Sequence, residues 1–427
     1  MKISIIGAGY VGIPTAIAFK YWGHEVVVVD NDWAKIDSLQ NGEMPIYEKG
    51  FDYYKSTIEK IEFTTDWSRI ADSNVVVLCV GTPMGKNGEA DTGFIKLAAM
   101  DVDKEVKGAV VVVKSTVPVG TCKELGNFIK NNVIASMPEF LREGYALDDV
   151  FNPDRVIIGT PNIETFELLK HIYPEFMWEK IHHIKTWESS ELIKYASNAF
   201  LAVKLHYVNE MADLCEEVGA DIEDVALGMG LDTRIGSKFL KAGCGYGGSC
   251  FPKDTNAIYA LAENKGIDLS LVGATITGNR KRQKNIAHRI DYLIKTLGIK
   301  KVAYLGLAFK NGTDDVRESP AINILNNIKA DTKISAYDPK AMENAQIVVY
   351  NDNVTFESSI DDCLKDAEML IIATEWKQFS EIYDKLPLMS TNKLANKPII
   401  YDLKNMLDKE QVGQDYTYVP TGKRVQQ

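Results

Sequence analysis

Lys2-Ile3-Ser4-Ile5-Ile6-Gly7-Ala8-Gly9-Tyr10-Val11-Gly12 is a short apolar run that breaks on three glycines and opens into a helix-like stretch, Ile13 to Tyr21. An unbroken Ile-rich run of this length has the composition of a strand buried on both faces of a parallel sheet. The glycines fit GxGxxG. Gly7 permits a tight turn, Gly9 lets the backbone approach a pyrophosphate at the helix N-terminus, and Gly12 lets helix and strand pack closely. Together with Tyr10 and Val11 they form the candidate cofactor loop. The spacing alone is a weak signal, but the next strand, Val26 to Val29, ends in Asp30, 18 residues past Gly12. A carboxylate there accepts hydrogen bonds from the adenine ribose and repels a 2′-phosphate, so the expected cofactor is NAD. A ligand-free turn, against which Asp30 argues, and a flavin site are the weaker competing readings.

Further strands follow outward from this unit. Val75 to Val80, Val110 to Val113 and Val133 to Ser136 are apolar, with helix-like segments between them, which predicts a doubly wound parallel α/β domain ending near residue 185. Glu188 to Glu217 then contains neither Gly nor Pro and predicts a helix of about 30 residues, the kind that joins domains or forms a dimer seam. A glycine-rich segment at 244–254 and more helix to about residue 295 come next. A second α/β series starts at Lys301, with strands at Val302–Leu305, Ile334–Tyr337, Met369–Ala373 and Pro398–Tyr401. The polar tail from Gly413 is expected to be partly disordered. The fold class is therefore α/β, with two Rossmann-like doubly wound domains joined by a central long-helix region. The boundaries are 1–185, 186–297 and 298–427.

The bulk composition excludes several classes. The chain has 427 residues, too many for one ordinary core, and a formal charge of -11. A nucleic-acid partner would need a basic face, and nothing in the composition suggests one. Any anionic substrate must be met by local cations. The six cysteines are scattered without a CxxC pair, which argues against a disulfide scaffold or structural zinc. The glycines interrupt the first apolar run too early for a signal peptide, and no stretch reaches the roughly 20 apolar residues of a membrane span. A cytoplasmic protein is expected. The histidines, including His182-His183, show no metal-ligand spacing, and no metal is expected.

Chemistry gathers around Cys250, in Gly247-Gly248-Ser249-Cys250-Phe251-Pro252-Lys253-Asp254. Pro252 suits the first position of a helix running to Glu263. The helix dipole would then stabilise a thiolate at Cys250, Lys253 would help, and the glycines would let a ligand come close. An inert buried thiol is the weaker reading here and the better one for Cys79, Cys215 and Cys363. Asp254, one turn past Cys250, could hold or deprotonate a water, or could merely complement the helix dipole. Lys194 and Asn198 share a helix face at i,i+4 and could stabilise an oxyanion, although a solvated polar face is the better reading of the spacing alone. Thr82 and Thr116 sit at strand exits, where ligands of such sheets bind, or simply in turns. Glu139 and Glu143 lie in a charged loop after Ser136.

The segments GAGYVG (7–12), GTP (81–83), KSTVPVGT (114–121), PEFLREG (138–144), ELIKYASNAFLAVK (191–204), GCGYGGSCFPKD (243–254) and LGLAFKNGTDDVRESP (305–320) run in order over most of the chain. Together they closely resemble the UDP-glucose/GDP-mannose dehydrogenase family. The resemblance implies an N-terminal NAD-binding domain, a central helical dimer region and a C-terminal nucleotide-sugar domain. It implies oxidation of a sugar 6-hydroxyl to an aldehyde, with Asp254 through a water, or Lys194, as base. Attack by Cys250 gives a thiohemiacetal, and a second oxidation a thioester, which is hydrolysed with Glu139 as base. Lys194 and Asn198 would stabilise the oxyanions. Substrate contacts are implied for Glu139, Phe140, Leu141, Tyr246, Gly247, Phe309 and Lys310, with Arg234 reaching the substrate of a second copy in a homodimer. Lys35, Thr82, Thr116, Glu143, Lys253 and Arg317 are implied to serve the NAD site, Thr116 also counting with the catalytic group.

The TRIG and GYGGSCFPKD segments look most like the UDP-glucose branch. GDP-mannose and a UDP-N-acetyl-hexosamine are the alternative substrates. A hydroxyacid dehydrogenase of the 6-phosphogluconate type would need no cysteine and no second α/β domain, and a non-enzymatic NAD-binding scaffold would need none of Cys250, Asp254 and Lys194. Two positions depart from the family pattern. Met137 stands where many members have Asn, and Asp402-Leu403-Lys404 where many have Asp-Gly-Arg.

Overall fold

The computed structural model describes the chain except residues 86, 87, 392, 393, 395 and 425–427. It divides into two compact units, Met1–Ser197 with Asn256–Ile267, and Asn198–Thr255 with Asp268–Gln427.

The first unit holds an eight-stranded sheet. Its strands are β1 (Lys2–Ile6), β2 (Glu25–Val29), β3 (Glu62–Thr64), β4 (Val75–Leu78), β5 (Val110–Val113), β6 (Val133–Ser136), β7 (Val156–Gly159) and β8 (Ile181–Ile184). Their order is β3-β2-β1-β4-β5-β6-β7-β8. Ile3, Ile5, Val26, Val28, Val75 and Val77 enter one apolar cluster. The alternate residues Ile6, Val27, Val29, Val76 and Leu78 enter another. Both faces are covered, so these strands carry no polar alternation. The sheet is not wholly parallel as expected: β6 meets β7 antiparallel at Ser136–Gly159. The long helix Trp187–Val218 crosses closely there, since a Cβ on Gly159 would lie 2.3 Å from the Ser190 Cβ. His182 and His183 belong to β8. The His183 Nε2 lies 2.9 Å from the Thr160 carbonyl and its ring stacks on Phe166, so its role is structural.

The second unit repeats the plan. Its strands are β9 (Lys301–Leu305), β10 (Lys333–Tyr337), β11 (Val354–Phe356), β12 (Met369–Ile372), β13 (Ile399–Asp402) and β14 (Thr417–Pro420), ordered β11-β10-β9-β12-β13-β14. Both sheets therefore start with the Rossmann order. The likeness reaches single residues. The Ala8 amide donates to Asp30 at the end of β2 (2.7 Å), and the Leu307 and Ala308 amides donate to Asp338 at the end of β10 (2.7 and 3.0 Å). A Cβ on Gly7 would meet the Cys79 carbonyl oxygen at 2.7 Å, and one on Gly306 the Thr374 side chain at 2.5 Å.

The tail expected to be disordered instead supplies β14, paired in register with β13. Beyond it, the Gly422 amide donates to Glu216 (2.9 Å), the Ile222 amide donates to the Gly422 carbonyl (3.0 Å), and Lys423 pairs with Asp221 (3.0 Å). The long helix expected over Glu188–Glu217 spans Trp187–Val218. Among the described residues no helix is long and apolar enough to cross a membrane.

Candidate active site

The nucleotide loop of the first unit is shaped by its own backbone. Gly7 has φ +106°, and a Cβ on Gly12 would overlap the Gly7 carbonyl oxygen at 1.9 Å. Both glycines are thus required by the turn itself. Gly9 is different: a Cβ there would meet nothing within 4 Å. Nothing in the chain calls for glycine at that position, which fits a backbone that a pyrophosphate approaches. Asp30 is fixed by the amides of Ala8 (2.7 Å) and Asp32 (2.9 Å), with the Lys35 ammonium 3.4 Å away. Tyr10 and Val11 lie between the glycines, Val11 just ahead of the helix Gly12–Tyr21. The Thr82 hydroxyl donates to the Thr116 carbonyl (2.7 Å), tying two strand exits together. Glu143 is half-buried in the loop after β6.

Two buried groups sit further along this edge. Glu139 is 6% exposed and Lys194 is 4% exposed, and the Lys194 Nζ lies 2.8 Å from the Glu139 Oε1. The Leu141 amide donates to the other carboxylate oxygen (2.5 Å). Burial pushes the Glu139 pKa up, but Lys194, the Leu141 amide and Lys114 prevail and leave it below the usual carboxylate range. Phe140 lies under the Lys194 ammonium (5.5 Å) and the Arg155 guanidinium (3.9 Å). Met137 is fully buried in the core and accepts from the Tyr173 hydroxyl (3.4 Å), so this departure from the family pattern is a packing residue.

In the second unit Cys250 precedes the helix Phe251–Asn264. The Asp254 amide donates to its carbonyl (2.8 Å), which closes the first turn. Pro252 is thus the second helical residue, one later than expected, a usual margin at helix ends. The thiol is half-buried, 3.5 Å from the Ser249 hydroxyl. The other five cysteines are held protonated by burial: Cys79 is pushed up to about 12, Cys244 to about 11, and Cys122, Cys215 and Cys363 also upward.

Asp254 is fully buried in the first turn of this helix, where its charge also complements the helix dipole. The Asn198 amide donates to its Oδ2 (2.6 Å) and the Lys253 ammonium to its Oδ1 (2.5 Å). These donors make a buried carboxylate affordable. The contacts give partners to three of the expected site residues. Lys253, expected to help ionise Cys250, pairs with Asp254. Lys194 and Asn198, read as one oxyanion pair, are each held by a different carboxylate, Glu139 and Asp254.

The glycine loop ahead of Cys250 packs closely on the chain itself. A Cβ on Gly248, at φ +83°, would lie 2.6 Å from the Phe309 ring, and one on Gly247 would lie 2.2 Å from the Glu318 carbonyl oxygen. The Gly248 amide donates to the Arg317 carbonyl (3.0 Å). These two glycines admit the chain's own 309–318 segment. The buried Tyr246 exchanges backbone hydrogen bonds with the Asn279 amide group (both 2.9 Å). Gly248→Ala should therefore cost about 2–4 kcal/mol, from the left-handed φ and the overpacking together; thermal denaturation checks this, and an unchanged midpoint would contradict it.

Lys310 lies over the Phe309 ring (5.4 Å). Arg317 is placed in the second unit, its guanidinium forked onto Asp315 (2.7–3.0 Å). Arg234 is 88% exposed and leans on Asp232. Lys404, the second departure, pairs with Glu375 at 2.7 Å. Sequence reasoning passed over Glu375, Asn279 and Lys114, because nothing local marks them. Among the described residues no group of three His, Cys, Asp or Glu could hold a metal.

The fingerprint loop with its acid, on a Rossmann sheet, defines an NAD-dependent dehydrogenase. The chain belongs to the UDP-glucose/GDP-mannose dehydrogenase family: it matches the family's NAD binding domain over residues 1–177, its central domain over 188–281 and its UDP binding domain over 303–409. It is 41% identical to a UDP-glucose 6-dehydrogenase of Rickettsia felis, over 96% of this chain and 93% of that one. It is also 41% identical to the UDP-glucose 6-dehydrogenase YwqF of Bacillus subtilis, over 95% and 93%. Among solved structures, a UDP-glucose dehydrogenase from Pyrobaculum islandicum superposes with a TM-score of 0.87 at 31% identity, covering 99% of this chain and 98% of that one. The family and the two-sheet fold expected from the sequence are the ones observed.

Proposed function

We propose that this protein oxidises the C6 hydroxymethyl group of UDP-glucose to the carboxylate, giving UDP-glucuronate with two NAD reduced. The observation that carries the chemistry is Cys250 at a helix start, with Asp254 buried one turn on and held by Asn198 and Lys253. The substrate follows from identity near 40% over almost the whole chain to proteins named for UDP-glucose.

NAD, when bound, supplies the hydride acceptor for both oxidations. Asp254, an acceptor with fixed geometry, takes the 6-hydroxyl proton through a water, with Lys194 the alternative base. Cys250 adds to the aldehyde; the thiohemiacetal has the hydroxyl and C–H that a second oxidation needs, and a thioester results. Asn198 and Lys194 donate to the oxyanions. Glu139, kept ionised, draws the proton from the water that cleaves the thioester and frees Cys250. Gly7, Gly9, Tyr10, Val11, Gly12, Asp30, Lys35, Thr82, Thr116, Glu143, Lys253 and Arg317 serve the cofactor. Phe140, Leu141, Tyr246, Gly247 and Phe309 line the sugar nucleotide. Lys310, with Arg234 from a second copy, meets the diphosphate that a chain of charge -11 would otherwise repel.

A homodimer is part of this reading. Phe200, Tyr207 and Leu214 repeat every seven residues on the long helix and are 62%, 45% and 51% exposed, an apolar seam suited to another copy. The division into 1–185, 186–297 and 298–427 and a cytoplasmic location are kept on the same footing. The test is NADH formation from UDP-glucose, GDP-mannose and UDP-N-acetyl-hexosamines under equal conditions. UDP-glucose should show the highest kcat/KM, by at least about tenfold; a preference for one of the others would overturn the substrate while leaving the chemistry.

A further inference from the structure

Lys114 follows β5 at the carboxyl edge of the first sheet, the edge at which α/β sheets bind their ligands. Its amide donates to the Leu78 carbonyl of β4 (3.0 Å). On its other side the Met137 amide donates to the Val113 carbonyl (2.8 Å), which brings the chain leading to Glu139 alongside. Lys114 is only 7% exposed, yet its ammonium makes no hydrogen bond or ion pair with a described residue. A lysine is rarely buried without a partner, because its charge is costly to desolvate.

The titratable groups facing it are Cys79, Glu139 and Lys194. The Cys79 thiol, pushed up to about 12 by burial, is neutral. Glu139 is therefore the only anion of the three, and it already pairs with Lys194 at 2.8 Å. Lys114 thus lies within electrostatic reach of a buried carboxylate that is already paired with Lys194. Lys194 has a second task in the reading above, donating to a substrate oxyanion.

We propose that Lys114 is a positioning residue for Glu139, the reserve cation that keeps this carboxylate ionised while Lys194 is drawn onto the substrate. The inference rests on the roles assigned to Glu139 and Lys194. The electrostatics agree with it: burial lowers the Lys114 pKa while Cys79 and Glu139 raise it, and Lys114 in turn lowers that of Glu139. No anion bound to Lys114 is needed, because its counter-charge is already in the protein.

The experiment is a double-mutant cycle in the full-length protein, with NADH formation from UDP-glucose followed against pH. Lys114→Met should lower kcat by about 10- to 100-fold and move its acid limb to higher pH, because Glu139 loses a cation that held its pKa down. Lys114→Arg should restore most of both. In a Glu139→Gln background Lys114→Met should cost almost nothing further, as expected for residues that act as a unit. Equal losses in both backgrounds, or an unmoved acid limb in a folded variant, would overturn the proposal. A fully active Glu139→Gln would overturn it together with the role of Glu139, but not the Cys250 route, which NADH stoichiometry tests separately. Lys114→Gln, with a polar head, replaces Lys114→Met if circular dichroism shows the latter unfolded.

Discussion

Cys250→Ser is expected to lose at least about a thousandfold in turnover of UDP-glucose while melting at or above the temperature of the parent protein. The two halves of this result have separate causes. Serine is a favoured residue at the start of a helix, and Cys250 already occupies that position, its carbonyl accepting from the Asp254 amide at 2.8 Å. The substitution is also nearly isosteric at a half-buried site. Folding should therefore be unharmed. A serine hydroxyl, however, is a far weaker nucleophile than a thiolate at neutral pH, and no other thiol can replace it. Cys79 and Cys244, for example, are pushed up to about 12 and about 11 by burial. An unfolded variant would leave the loss unassigned to chemistry, so the melt and the rate belong to one experiment. Near-normal turnover in a folded variant would make Cys250 structural.

The second large effect is one of stability. Lys194→Met should destabilise the protein by about 3–5 kcal/mol at neutral pH, because it strands Glu139 as a buried carboxylate without its closest cation. The sign with pH follows from the direction of the shift. In the parent protein the folded pKa of Glu139 lies below the ordinary value, so the pair stabilises the fold above the ordinary carboxylate range. That contribution disappears as pH falls through the lowered pKa. In the variant the Leu141 amide and Lys114 still hold the carboxylate, but with its closest cation gone the Glu139 pKa rises. The difference in melting temperature between parent and variant should hence be largest near neutral pH and shrink on acidification. A difference that is constant with pH would mean that lost packing, not charge, sets the cost. Lys194→Met combined with Glu139→Leu should recover much of the stability and none of the turnover.

The parts of the fold that were legible in the sequence are those whose cause is local. β1, β2, β4 and β5 announce themselves because a strand covered on both faces carries apolar residues without alternation. Gly7, Gly12 and Asp30 are legible because a turn of that tightness admits few residues. β8 was not read, since its His182-His183 pair interrupts an apolar pattern and is satisfied only by Thr160 and Phe166, brought near by folding. β14 was taken for a tail because its four residues gain their stability from β13 and from the contacts of Gly422 and Lys423 with the helical region. The site divides in the same way. Cys250 is marked by the glycines and proline around it. The partner of Asp254 is Asn198, 56 positions away, and the reason for Gly248 is Phe309, further still. Lys114 looks like any strand-exit lysine until its burial is known.

The central claim is a four-electron oxidation through a thioester on Cys250. The most direct test is the yield of NADH per UDP-glucose consumed, with NAD in excess and the product identified. The account predicts two NADH for each UDP-glucose, with UDP-glucuronate formed and no aldehyde released. One NADH per substrate, with the aldehyde as product, would contradict it and leave an ordinary alcohol dehydrogenase on the same fold.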